Sequence, residues 1–178
     1  MERSSTGSRG LMSAKMGTWL LMITVAILFG SISLGYITNG HSPRNFSIPW
    51  TFYLNTLILI VSSVMLHIGW INRNEKGRGG MLRPAVLLGI LFLVSQSFAW
   101  YQLYSGGTDW ASSGQKVSYL YVLTFLHAIH LVGGILFLAY VWARFDRNGQ
   151  KYLDSAIFFW HFLGILWIYL LCVLLINA

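Results

Sequence analysis

Charge along this chain comes in blocks, and between the blocks lie five long stretches with no Asp, Glu, Lys or Arg. The charged residues sit at 2–15, 44, 73–83, 109–116 and 144–154, leaving uncharged runs at about 16–37, 48–71, 84–104, 118–142 and 155–177. A helix rises ~1.5 Å per residue, so each run is long enough to cross the ~30 Å hydrocarbon core of a bilayer. The pattern predicts an all-α polytopic membrane protein, a single bundle of five transmembrane helices over 16–178. Residues 1–15, Ser/Gly-rich and charged, read as a mobile segment ahead of it. The first run is too long for a signal h-region and is read as a retained helix.

Within the runs, helical spacing sorts the polar and small residues onto faces. In the first helix Ala26, Gly30 and Ser33, with Ser31 and Gly35 beside them, predict a small-residue face where another helix approaches closely. Asn55 and Ser62 share a side of the second helix, and Ser63 and His67 are neighbours there. Gly89, Phe92 and Gln96 form a stripe on the third. Thr124, His127, His130 and Gly134 step by three, three and four along the fourth, and this stripe is expected to be buried against protein. The fifth carries Trp160 and His161 among other aromatics. Pro49 and Pro84 stand where helices two and three open.

Composition supports the membrane assignment: 56% hydrophobic and 10% charged residues, against about 25% charged in soluble domains. The net charge of +7 is a topology signal and not a nucleic-acid footprint. Ten Lys and Arg fall at the N-terminus and in the second and fourth loops, against two, Arg44 and Lys116, in the first and third loops. By the positive-inside rule this predicts a cytoplasmic N-terminus and a C-terminus on the far side. Cys172 is the only cysteine, which excludes an intramolecular disulfide and a cysteine-cluster metal site. Trp19, Trp50, Trp70, Trp100, Tyr101 and Trp142 cluster near helix ends, as an interfacial belt would.

Buried histidines invite a haem reading, which needs two imidazoles from facing helices at one depth. His67 and His161 meet that requirement. His127 and His130 share one helix and cannot flank a single ring. The plainer reading of all four, and of Gln96, is hydrogen bonding and packing between helices. No carboxylate, Lys or Arg lies inside a span, which argues against an ion or proton pathway in this chain itself.

The motifs, taken together, resemble subunit III of the haem–copper terminal oxidases in its short five-helix bacterial form. The likeness rests on Gly17, Trp19, Leu20, Phe29 and Gly30 in helix one and Pro49, Ser62 and Ser63 in helix two. In the last two helices it rests on His127-Ala-Ile-His130…Gly134 and Phe159-Trp160-His161-Phe162…Trp167. Family members commonly carry carboxylates at places that read here as Val25, Ser47, Ala99 and Gly164.

The resemblance implies a non-catalytic subunit without cofactor or metal of its own. It would sit in the bacterial cell membrane beside oxidase subunits I and II and other respiratory-complex subunits. Haem and copper are expected in those partners, and bound phospholipid in this chain. Two alternatives stand beside it: the accessory subunit of a nitric oxide reductase, and an autonomous bis-histidine b-type cytochrome using His67 and His161.

Overall fold

The computed structural model describes residues 3–38, 49–71, 80–107, 114–145 and 150–176, apart from the side chains of 3–14, 150 and 151. Five helices account for nearly all of it: α1 (Arg3–Thr38), α2 (Thr51–Ile71), α3 (Leu82–Ser105), α4 (Gln115–Ala143) and α5 (Gln150–Ile176). Their apolar spans are Lys15–Thr38, Thr51–Ile71, Leu82–Ser105, Gln115–Ala143 and Tyr152–Ile176. Each agrees with its uncharged run to within one helical turn, so the chain is a multi-pass membrane protein. The side chains of Arg3, Arg9, Arg44, Arg73, Lys76, Arg78, Arg147 and Lys151 lie outside the described residues, as does Ser47.

Helix ends fall where backbone chemistry places them. Pro49 precedes α2, and its carbonyl accepts from Phe52 N at 3.1 Å. α3 stops at Gly106, whose N–H reaches the Gln102 carbonyl at 3.0 Å. The following Gly107 takes φ +80°, a conformation that costs glycine nothing and other residues a steric clash.

α5 is the hub. It packs against α1, α2 and α4, while α2 packs on α3 and α4 packs on α1 and α3. Within their most apolar windows, 56% of α5 is buried, against 28–39% for the other four helices. The widest faces of α1–α4 are therefore left for the surroundings, as leucine and isoleucine exposed on every helix confirm. In a soluble protein such a surface would be untenable; in lipid it costs nothing.

The α1 interface departs from expectation. Ala26 and Ser31 are exposed, and the face turned to the bundle is Met22, Val25, Phe29, Ser33 and Tyr36. Large side chains in i, i+3, i+4 succession bury more van der Waals contact than the small-residue stripe beside them. Of the five small residues, Gly35 marks a close approach: a Cβ there would stand 3.1 Å from Tyr119 Oη on α4. Ser33 is also buried.

Candidate functional site

Tryptophan and the polar residues of α2 form the centre of the molecule. An indole N–H can only donate, and a hydroxyl can donate once while accepting twice. Three pairs use this complementarity in the same way. Trp160 Nε1 donates to Ser62 Oγ at 3.1 Å, Trp167 Nε1 to Thr56 Oγ1 at 3.0 Å, and Trp100 Nε1 to Thr124 Oγ1 at 3.0 Å. Each hydroxyl then donates to a backbone carbonyl: Ser62 to Ala85 at 3.4 Å, Thr56 to Phe52 at 2.9 Å, and Thr124 to Leu120 at 2.8 Å. Ser62 thus joins α2, α3 and α5 through one oxygen.

Two amide contacts extend the series toward the other end of α2. Asn55 Nδ2 donates to Gln96 Oε1 at 2.7 Å, and Thr51 Oγ1 donates to Gln102 Oε1 at 3.2 Å. At the opposite end Trp70 Nε1 donates to Asp154 Oδ1 at 3.3 Å. From Thr51 to Trp70 the polar partners of α2 therefore span about 28 Å at ~1.5 Å per residue, close to the full hydrocarbon thickness. Interhelical bonds of this kind contribute about 0.6 kcal/mol each on average in membranes. The series matters by being distributed over the whole depth.

Trp160 is also the main packing element. Its ring lies in the space left by two glycines: a Cβ on Gly89 would stand 2.6 Å from Trp160 Cη2, and one on Gly134 would stand 3.4 Å from Trp160 Cε3. The Gly89–Phe92–Gln96 stripe is buried throughout, because Gly89 admits this indole while Gln96 meets Asn55.

The four histidines of the spans fall into three settings. His127 is fully buried, with its ring centroid 5.1 Å from that of Trp167 and 5.8 Å from that of Phe92. His130 leaves the Thr124–His127–Gly134 stripe and is only partly buried. Steps of three residues turn about 300°, so two such steps carry His130 roughly 120° round the helix from Thr124. His67 and His161 do come together across α2 and α5, edge to face with ring centroids 6.0 Å apart.

These two rings line one end of a groove of about 320 Å³, together with Thr56, Ser63 and Gly164. His67 is exposed along it and His161 half-buried. Several atoms in the interior have no hydrogen-bond partner among the described residues: both ring nitrogens of His127, Asn55 Oδ1, Gln96 Nε2, Ser33 Oγ and His161 Nε2. Among the described residues no three His, Cys, Asp or Glu side chains gather into a metal-binding group.

Sequence spacing brought forward Gln96, Gly134, Trp160 and the histidines, and it placed Asn55 and Ser62 on one side of α2. It did not single out Thr56, Thr124 or Trp167 as bonded partners. The available signal was chemical: every tryptophan deep in a span needs an acceptor on another helix, and Ser and Thr are the small ones.

The profile of the cytochrome c oxidase subunit III family matches residues 11–177. The chain is 30% identical over 135 residues to the probable cytochrome c oxidase subunit 3 of Rickettsia conorii, covering 70% of this chain and 45% of that protein. It is 26% identical over 166 residues to the cytochrome c oxidase subunit 3 of Synechocystis, covering 88% and 68% of the two chains. It is 26% identical over 168 residues to the cytochrome bo(3) ubiquinol oxidase subunit 3 of Pseudomonas aeruginosa, covering 85% and 79%. The chain spans about half the length of its Rickettsia relatives. A match over nearly the whole five-helix bundle places it: the chain belongs to the cytochrome c oxidase subunit III family.

Proposed function

We propose that this chain is the non-catalytic subunit III of a proton-pumping haem–copper terminal oxidase of a bacterial cell membrane. In this reading it packs against the catalytic subunit I, in a complex that also holds subunit II, and the redox centres that reduce O2 to water belong to those partners. The observation that carries the reading is the family match over residues 11–177. The relatives' names do not favour the nitric oxide reductase or autonomous cytochrome readings.

The interior supports a structural part in such a complex. Its buried side chains bond indole to hydroxyl and amide to amide, each across a helix boundary. Such a bundle is a rigid neutral body that can brace a neighbour and the phospholipids between them. The N-terminus is assigned to the cytoplasm on the distribution of Lys and Arg, and His67, His127, His130 and His161 to interhelical packing.

The test is made on the native complex. A tag on this chain, purified in mild detergent, should bring down an oxidase catalytic subunit identified by mass spectrometry. Membranes lacking the chain should hold an oxidase that starts at normal O2 consumption and then inactivates several-fold faster during turnover. Recovery of the chain without any oxidase subunit would overturn the proposal.

A further inference from the structure

His130 is the one histidine of α4 that faces outward, and its hydrogen bond fixes what it presents there. Nδ1 lies 2.7 Å from the Leu126 carbonyl oxygen. A carbonyl only accepts, so Nδ1 carries the proton and Nε2 of the neutral ring offers a lone pair. Phe29 meets the imidazole edge to face, with centroids 5.6 Å apart. The ring lines a hollow of about 330 Å³ between α1, α4 and α5, with Thr18, Leu21, Ile129, Gly133, Phe137 and Phe159. Around the position of a Cβ on Gly133 there is no other atom within 4 Å. His130 is near the midpoint of the Gln115–Ala143 span, roughly 20 Å from either end at ~1.5 Å per residue. Water and lipid headgroups do not reach that depth.

We propose that this hollow receives a transmembrane helix of the catalytic partner, which seats a side chain over Gly133 and donates a hydrogen bond to His130 Nε2 from a hydroxyl, amide or indole. The proposal rests on the oxidase-subunit reading and names the face that reading uses. The occupant follows from the acceptor. An acyl chain would fill the hollow but has no donor, and would leave an imidazole nitrogen unpaired in hydrocarbon, where nothing else can bond it. A helix with one polar side chain satisfies the nitrogen, and the open surface at Gly133 lets its backbone come close, as small residues do at membrane helix interfaces.

The experiment uses the full chain in its native membrane. With p-benzoylphenylalanine in place of Ile129, irradiation should join the chain to a transmembrane peptide of a co-purifying oxidase subunit, near a Ser, Thr, Tyr, Trp, Asn or Gln. Gly133→Leu should leave the free chain folded, because its own atoms leave that space open, and lower recovery of the partner at least tenfold. His130→Leu should lower it roughly threefold to twentyfold, the range of interhelical hydrogen bonds in membranes. His130→Gln, which keeps an acceptor, should stay within about twofold of wild type. Lipid adducts alone at position 129, or undiminished recovery in Gly133→Leu, would overturn this interface while leaving the oxidase reading intact. Failure of the wild-type chain to recover any oxidase subunit would remove both.

Discussion

The fit of Trp160 between Gly89 and Gly134 makes Gly89→Ala the most exacting perturbation of the bundle. The added methyl would stand 2.6 Å from Trp160 Cη2 and 2.9 Å from Ile135 Cγ1, about 1 Å inside ordinary carbon–carbon contact. An indole cannot fold out of the way. It must slide as a unit, and a slide of about 1 Å takes Nε1 beyond bonding distance of Ser62 Oγ, now at 3.1 Å. Overpacking costs about 1–3 kcal/mol and the lost bond about 0.6 kcal/mol. The alanine returns up to ~1 kcal/mol of helix propensity. The net expectation is a loss of about 1–3 kcal/mol, read from SDS-induced unfolding in mixed micelles and from a shift in tryptophan emission. Gly133→Ala, with nothing near its new methyl, should be neutral or stabilising by up to ~1 kcal/mol. Combining Gly89→Ala with Trp160→Phe should cost less than the sum of the two singles, since the smaller ring removes the clash. If Gly89→Ala is as stable as wild type, or the double variant is strictly additive, the packing argument is wrong.

The Asn55–Gln96 pair should behave asymmetrically: Asn55→Leu or Gln96→Leu alone strands a buried amide and should cost about 1–3 kcal/mol, while the double substitution should lie close to wild type in the same unfolding assay. The isolated chain should be colourless; a Soret band that vanishes in His67→Ala or His161→Ala would restore the cytochrome reading. An alkaline phosphatase fused after Ala178 should be active and a cytoplasm-only reporter there silent, as the loop asymmetry predicts.

Much of this architecture is legible in the sequence because charge is excluded from hydrocarbon. That single rule located all five spans. Inside a span, polar residues could be ordered by the helical period, so Asn55 with Ser62, and Gly89 with Phe92 and Gln96, fell on buried faces. Apolar residues could not be ordered that way. Lipid and protein interior are both apolar, so Met22, Val25, Phe29 and Tyr36 carry no contrast with the exposed Leu20, Ile23 and Ile27. The small-residue stripe of α1 was therefore the only visible face, and the structure splits it: Ala26 and Ser31 are exposed, Gly30 and Gly35 partly covered and Ser33 buried. Pairings across helices were equally hidden: Trp160 and Ser62 are 98 positions apart, Trp167 and Thr56 111, and nothing local to either residue names its partner. His130 went astray for a geometric reason, since two successive steps of three drift off a stripe.

Among the described residues the interior is held by hydroxyl, amide and indole groups bonded across helices. Moving a proton through the span would need a side chain that changes charge at a useful cost, and intramembrane carboxylates are the usual ones; the uncharged runs contain none. Asp154, at the end of α5, is already engaged by Trp70 Nε1. What the described interior does display is shape. Trp160 ties the hub helix to α2 through Ser62 and seats against α3 and α4 through two glycines, so four of the five helices are referenced to one rigid ring. Each contact is weak, but displacing that ring disturbs all three at once, because a close-packed interior transmits a local shift instead of absorbing it. Such a bundle presents its outer faces in fixed register. A subunit that stabilises a neighbour needs that property, and it needs no charge inside the membrane to provide it.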